Sequence, residues 1–251
     1  EYTPIIQYTG GTAESTTWNG RGQSVAITSI GGKMYAYSAL MSARATNGSN
    51  TGGLVVTDVT DQNSPQEVHS YSNITFADTY RDTNGRIVIK DDCLYAANSA
   101  SGKIEMYRIN EQDGSLSMAA SLDSVTQGSL EIAGNYLFVS GKAKESVKVY
   151  DISVPYAPSK LKATVPFEVS MGDDTCTEQI QTFSISVEDR GNNVYRIYAI
   201  NRAKFSGEDK FFLSISDITI NSGEYITQRL YQGQPGEVGL WNNVYDIAIF
   251  D

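Results

Sequence analysis

Short stretches in which apolar and polar residues alternate make up most of the chain, and runs with helical spacing are scarce. A period of two, with β-branched and aromatic residues at the apolar positions, predicts half-buried β-strands. Gly, Asn, Asp and Pro separate these stretches and favour tight turns. The pattern therefore predicts an all-β protein.

One strand type recurs along the chain as an alternating segment that ends in a polar residue followed by a β-branched one. A turn and a further strand follow each copy, and a hairpin precedes each copy. The copies are 53–59, 103–109, 147–152 and 212–218. The preceding hairpins turn at residue pairs that tolerate positive φ, namely Gly31-Gly32, Asp91-Asp92, Gly134-Asn135 and Gly191-Asn192.

Two hairpins in succession give four antiparallel strands, A to D, in each repeat. A meander of this kind has two sheet faces, which it covers by stacking on its neighbours. The repeat therefore predicts a β-propeller of four-stranded antiparallel blades. We expect one propeller region over residues 1–251, with whole blades near 25–71, 86–122, 129–165 and 182–231. Partial blades at 1–9 and 243–251 indicate part of a larger propeller.

Three of these repeats resemble known propeller families. Segments 52–68 (GGLVVTDVTDQNSPQEV) and 147–161 (VKVYDISVPYAPSKL) resemble the LVIVD repeat of bacterial and archaeal cell-surface propellers. Segment 104–116 (IEMYRINEQDGSL) is similar to lactonase-type and surface-layer propellers. The resemblance implies an extracellular, cell-surface or periplasmic bacterial protein, with a binding or scaffolding role in most members. A fold by itself assigns no activity.

The connections between strands divide between the two ends of each blade. Strands A to D run alternately up and down, so the A–B and C–D turns share one end and the B–C and D–A connections share the other. The connections at this second end are long, and long loops in a compact domain are often functional. We therefore expect a ligand face there, formed by Trp18, Arg44, Tyr80, Arg81, Arg202, Phe205 and Trp241.

Aromatic rings beside guanidinium groups suit a glycan or a protein ligand. A second interpretation is that the two tryptophans pack between blades. The expected function is a non-enzymatic binding or scaffold propeller. The alternative is a lactonase-like hydrolase at the channel mouth. Its acid–base or metal-binding groups could come from Asp173, Asp174, Glu178, Arg44 and Arg81.

The formal net charge of the chain is −10, and no basic cluster is present. Nucleic-acid binding needs a Lys/Arg footprint, so a nucleic-acid partner is not expected. No apolar run approaches the roughly 18 residues of a membrane-spanning helix, so no transmembrane segment is predicted. The oligomeric state stays open.

The single histidine, His69, falls in a fourth strand, where we expect an exposed side chain rather than a base in a cleft. No catalytic residue is therefore assigned. With one His and two Cys, neither a zinc site nor another cofactor is predicted. The cysteines, Cys93 and Cys176, are expected near opposite ends of the blades, too far apart for a disulfide, and Cys93 is expected to be buried.

Aspartates also recur in the repeat, at 58, 151 and 217. Asp58 with Asp61, or the Asp173-Asp174 pair with Glu178, could offer oxygen ligands to calcium. The recurrence of Asp58, Asp151 and Asp217 at one repeat position favours a different role. They are expected to cap the C–D turns through side-chain to backbone hydrogen bonds.

Overall fold

The computed structural model describes residues 21–41, 53–74, 76, 87–98, 101–122, 129–140, 145–157, 161–166, 181–205, 208–221 and 224–232. All the regular elements within these ranges are β-strands. The first eight strands are β1 Arg21–Ile30, β2 Lys33–Met41, β3 Gly53–Asp58, β4 Gln66–Tyr71, β5 Ile87–Lys90, β6 Cys93–Asn98, β7 Lys103–Ile109 and β8 Leu116–Leu122. The next eight are β9 Leu130–Ala133, β10 Tyr136–Ser140, β11 Glu145–Asp151, β12 Leu161–Pro166, β13 Gln181–Asp189, β14 Val194–Phe205, β15 Glu208–Asn221 and β16 Glu224–Gln232.

Each run of four consecutive strands forms one antiparallel sheet in sequence order, and we call these sheets blades one to four. The four predicted whole blades are confirmed. The partial blades predicted at 1–9 and 243–251 lie outside the described residues. Backbone torsions agree with the predicted turns, because Gly31, Asp91, Gly134 and Gly191 all adopt positive φ.

The fourth strand of every blade carries a β-bulge where it pairs with the third strand. In each blade, one residue of the fourth strand has no paired residue on the third strand. The skipped residues are Val68, Ala119, Lys162 and Leu230. A bulge increases the local twist and disrupts pairing, so it also makes the outer edge a poorer template for aggregation.

The aspartate caps of the C–D turns are confirmed in two of the three predicted places. The amide of Thr60 donates to Oδ1 of Asp58 at 3.0 Å, and the amide of Ser153 donates to Oδ1 of Asp151 at 3.0 Å. The prediction for Asp217 is wrong. Asp217 lies inside β15, where its carboxylate accepts two hydrogen bonds from Arg196 at 2.8 and 2.9 Å. The fourth blade has a longer C strand, so the turn follows four residues later.

Blades one and two belong to one compact unit, and blades three and four to another. In the first unit, apolar side chains from both blades form one core, which also takes in the residues just after β4. This core comprises Tyr35, Tyr37, Ala39, Leu54, Val56, Ile74, Phe76, Ile87, Leu94, Ala96, Tyr107 and Ile109. Cys93 is buried in the same unit as a free thiol. Its predicted burial is confirmed, and Cys176 lies outside the described residues.

The second unit has a corresponding core between blades three and four. Its members are Ala133, Phe138, Val147, Val149, Ile185, Tyr195, Ile197, Ala199, Ile218 and Ile220. The ring of Tyr195 packs edge-on against Tyr136, with the centroids 5.3 Å apart. Stacking one blade on another buries both faces of the inner strands, which a single meander could not do.

The part of the chain that the structure describes contains no helix with the length and apolar character needed to span a membrane.

Candidate functional site

A buried polar cluster lies at the end of blade two where its second strand leads into its third, and we call this end of any blade the B–C edge. Asn98 is the last residue of β6, and Glu105 lies in β7 opposite Ala96. The Asn98 side-chain amide donates to Oε2 of Glu105 at 2.7 Å. The Tyr107 hydroxyl donates to the same oxygen. Glu105 is only 7% exposed, so both donors act on a carboxylate removed from water.

The two oxygens of this carboxylate are in different situations. Oε2 accepts both hydrogen bonds, whereas Oε1 has no hydrogen-bond partner among the described residues. Burial, followed by the hydrogen bond to Glu105, raises the pKa of Tyr107, so its hydroxyl stays a donor at neutral pH. The cluster therefore holds the carboxylate in place from one side and leaves the other oxygen open.

The same cluster contacts the connection that leaves blade one. The side-chain nitrogen of Asn98 also donates to the main-chain carbonyl of Asn73 at 3.3 Å. Immediately afterwards, Ile74 and Phe76 are buried in the core between blades one and two, at 0% and 3% exposure. One polar contact and two apolar anchors thus fix the start of the long D–A connection.

Blade four carries a polar network near its own B–C edge, but this network is neutral. The Thr182 hydroxyl donates to the side-chain oxygen of Asn201 at 2.8 Å. Asn201 in turn donates to the Ser214 hydroxyl at 2.7 Å and to the Ala199 carbonyl at 3.2 Å. These buried groups satisfy one another, as buried polar groups in native proteins usually do. The network is accounted for by structure alone.

Beyond this network, the pairing between the two middle strands of blade four continues. Among the described residues, the pairing of β13 with β14 reaches Gln181 opposite Arg202, and that of β16 with β15 reaches Gln232 opposite Ser214. The pairing of β14 with β15 continues to Phe205 opposite Glu208. Residues 203–205 and 208–210 therefore form a paired two-stranded ribbon about 10 Å long, at about 3.3 Å per residue. We refer to these residues as the ribbon.

The ribbon corrects the expectation that Arg202 and Phe205 lie in a long connection between strands, here the segment 201–209. Residues 201–205 pair in register with residues 208–212 of the next strand. The Ser-Gly pair between them, at 206–207, is a sequence typical of turns and allows the two strands to form a hairpin. Arg202 and Phe205 are thus strand residues, with their main chains held in a fixed register. The other five predicted ligand-binding residues lie outside the described residues: Trp18, Arg44, Tyr80, Arg81 and Trp241.

Sequence reasoning missed Asn98, Glu105 and Tyr107. Glu105 alternates with Ile104 and Met106, so the period of two places it on an outward, solvated face. In the structure both faces of β7 are covered, and Ile104, Met106 and Tyr107 are all buried. One signal could have indicated the cluster: Glu105 is a charged residue in a third strand, which has a neighbouring strand on each side.

His69 is partly buried instead of fully exposed. Its side chain is 29% exposed, because the turn between β7 and β8 covers it. The Nε2 atom lies 3.1 Å from the carbonyl oxygen of Asp113 and 3.9 Å from its carboxylate. The expected position in the outer strand is confirmed, and its polar contacts join blade one to blade two.

Some of the candidate metal ligands cap turns, and the others lie outside the described residues. Asp61 accepts a hydrogen bond from the amide of Asn63 at 3.0 Å, and Asp58 contacts Lys33 at 3.4 Å as well as capping its turn. Within the described ranges, no three His, Cys, Asp or Glu side chains are grouped so as to hold a metal ion. Asp173, Asp174 and Glu178 lie outside those ranges.

Comparison with known proteins reveals a likeness of fold only. No protein-family model matches the chain, and no curated protein matches it by sequence. A periplasmic gluconolactonase from Pseudomonas aeruginosa matches with a TM-score of 0.51 at 13% identity, over 86% of this chain and 71% of that one. An α-L-arabinofuranosidase from Fusarium graminearum matches with a TM-score of 0.49 at 10% identity, over 86% and 70%.

An endo-arabinase from Bacteroides thetaiotaomicron also matches, with a TM-score of 0.42 at 11% identity, over 84% of this chain and 94% of that one. At 13% identity, the likeness to the gluconolactonase bears on the fold alone and leaves the activity open. The gluconolactonase likeness and the four antiparallel meanders agree with each other. The chain is an all-β protein built from four-stranded β-propeller blades.

Proposed function

We propose that this chain is a non-enzymatic extracellular binding propeller whose ligand, a glycan or a protein, docks at the B–C edge of its blades. The observation that carries the proposal is the ribbon of blade four, a hairpin at that edge whose backbone register is fixed by strand pairing. The contact residues that we propose are Trp18, Arg44, Tyr80, Arg81, Arg202, Phe205 and Trp241.

A paired ribbon suits recognition for an energetic reason. Ordering a flexible loop on binding costs conformational entropy, whereas a hairpin that is already paired has lost most of that entropy on folding. Arg and aromatic residues are also those that dominate binding energy when they are well packed. Arg202 and Phe205 at the base and tip of the ribbon therefore favour a recognition role.

The location proposed for the protein is extracellular, at the cell surface or in the periplasm. The LVIVD-like segments at 52–68 and 147–161 favour a surface protein, and the net charge of −10 does not favour a nucleic-acid ligand. The likeness to a periplasmic propeller is compatible with this location.

The test is removal of the ribbon. Replacing residues 203–210 with Asn-Gly joins the paired residues Arg202 and Phe211 through a two-residue hairpin turn and leaves the four-stranded sheet intact. Wild type, this variant and a Trp18→Ala/Trp241→Ala double variant would be compared on a glycan array and in binding assays with surface proteins. We expect both variants to bind the ligand of the wild type at least about tenfold more weakly, a loss of about 1.4 kcal/mol in binding free energy.

A matched control changes the opposite end of the same blade. Asn192 and Asn193 form the A–B turn with positive φ, so replacing both with Gly keeps that turn without strain. This variant should bind like wild type. Equal binding by wild type and the ribbon deletion, with both proteins folded, would contradict the proposed binding edge.

A lactonase-like hydrolase is a second candidate, favoured by the hydrogen bond between Tyr107 and the buried Glu105 carboxylate. Paired titratable groups in a buried site are typical of acid–base catalysis. Purified protein would be assayed for hydrolysis of lactones and esters, with and without divalent metal ions. Turnover that is lost in Glu105→Gln, Asp173→Asn or Asp174→Asn would establish the enzyme and overturn the purely binding role.

A further inference from the structure

The Glu105 carboxylate has a negative charge that its hydrogen bonds do not require. Both donors, Asn98 and Tyr107, act on Oε2, and Oε1 has no partner among the described residues. A glutamine at this position could place its carbonyl oxygen where Oε2 lies and its amide nitrogen where Oε1 lies. The neutral residue would then keep both hydrogen bonds and avoid a buried charge.

Burying such a charge is unfavourable unless a cation or several donors compensate it. Glu105 is 7% exposed, and it has no ion-pair partner among the described residues. The blade-four network shows that the fold does not need a charge near this edge, since Thr182, Asn201 and Ser214 satisfy one another with neutral groups. A costly charge that neutral chemistry could replace points to a ligand that needs it.

The chemistry left open at the cluster identifies the kind of ligand. The Asn98 side-chain nitrogen has two hydrogens, and it donates to Glu105 and to the carbonyl of Asn73. The hydroxyl hydrogen of Tyr107 is also used by Glu105. Both side-chain donors of the cluster are therefore occupied, and the open positions are lone pairs on Oε1 and on the Asn73 carbonyl. Acceptors that include a buried, charged carboxylate favour a positively charged group over a neutral donor, because only a cation also compensates the charge.

We propose that Glu105 is the binding carboxylate of a cation subsite between blades one and two at the B–C edge, with the Asn73 carbonyl as a second oxygen ligand. Its ligand is a compact cation that accepts oxygen coordination, either a metal ion or a primary ammonium group. This site is independent of the ribbon in blade four, and each site has its own test.

The test compares thermal unfolding midpoints of wild type and Glu105→Gln in four salts at equal ionic strength. Potassium, calcium and methylammonium chlorides are the probes. Choline chloride is the reference, because its bulky quaternary ammonium has no N–H donor. In choline, Glu105→Gln should melt above wild type, since a buried charge has been removed. At least one probe should raise the wild-type midpoint by about 2–4 °C or more and leave Glu105→Gln unchanged.

Ser214→Ala provides the matched control, because it breaks a buried network near the B–C edge of blade four without changing charge. The unfolding midpoint of Ser214→Ala should lie below that of wild type by the same amount in every salt. The probe that raises the wild-type midpoint distinguishes a metal ion from an ammonium group. Three results overturn the proposal: no response of wild type to any probe, an equal response of Glu105→Gln, or failure of Glu105→Gln to fold. The last would show that the carboxylate is needed for structure.

Discussion

The hydroxyl of Tyr37 in blade one donates a hydrogen bond to the carbonyl oxygen of Gly114 in blade two, at 2.9 Å and across 77 residues of sequence. The bond is buried, and it belongs to a set of polar contacts around the turn at 110–115. The hydroxyl of Tyr71 accepts a further bond from the amide of Leu116 at 2.6 Å. Tyrosines of one blade thus satisfy the main chain of the next at the margin of a shared apolar core.

Replacing Tyr37 with Phe should lower the free energy of unfolding by about 1–2 kcal/mol, because a buried carbonyl loses its donor. Tyr35→Phe is the control, since the Tyr35 hydroxyl lies 3.5 Å from the carbonyl of Gln112 in a part-buried position. A contact that long contributes little, so its loss should cost less than about 0.5 kcal/mol. Urea titrations of both variants would measure this, and equal losses would contradict it.

The turn between β1 and β2 provides a test of close packing between blades. Gly31 and Gly32 both have positive φ, of 58° and 79°. A Cβ on Gly31 would overlap the carbonyl oxygen of Glu111, whereas a Cβ on Gly32 would meet nothing within 4 Å. Gly32→Ala should cost only the backbone penalty of about 1 kcal/mol. Gly31→Ala should cost about 3 kcal/mol or more.

Those two costs would be measured by urea titration of the single variants. Similar values would mean that the Gly31 position has room to relax, and that the contact with the turn of blade two is looser than the structure indicates.

Cys93 should be unreactive in the folded protein. Burial raises the pKa of its thiol to about 11, so little reactive thiolate is present at neutral pH. In a Cys176→Ser background, labelling by a disulfide reagent should be at least about 100-fold slower in native protein than in concentrated guanidinium chloride. The native rate should rise with pH towards 11. Equal native and unfolded rates would contradict the burial.

Asp58 should make stability depend on acid pH. Hydrogen bonds from Thr60, first through its hydroxyl and then through its amide, lower the pKa of Asp58 below its usual range. The folded state therefore binds the proton less readily than the unfolded state. The contribution of Asp58 is present above the ordinary aspartate pKa of about 4 and is lost as pH falls through the lower folded value.

Urea titrations of wild type and Asp58→Asn from pH 7 to pH 2.5 would follow this loss, and the difference between them should shrink in acid. Asn110→Ala is the control, because Asn110 caps its turn with a neutral side chain that accepts from the amide of Gln112 at 2.9 Å. The difference in free energy of unfolding between wild type and Asn110→Ala should stay constant over the same pH range. A pH-independent difference for Asp58→Asn would contradict the assignment.

Several features of the fold follow from the sequence because their causes are local. The turn at Gly31-Gly32 and the cap at Asp58 depend on residues within a few positions of each other. The period of two is equally local, and it located the strands of all four blades. The blade architecture then follows, since four consecutive hairpin-linked strands pair most easily with their sequence neighbours.

Other features were decided by tertiary contacts. Asp217 has the sequence context of a turn cap, but a longer C strand places it opposite Arg196. Residues 201–209 have the polar composition of a loop, yet strand pairing continues through them as far as Phe205 opposite Glu208. Pairing of this kind depends on the partner strand, which local propensity does not report.

The sequence by itself determined the all-β class, the four-stranded repeat and the position of most turns, because alternation and turn chemistry act between near neighbours. Only the tertiary structure decided that Glu105 is buried beside Asn98 and Tyr107. An alternating strand shows which residues share a face, but whether that face meets water or another blade depends on how the blades stack.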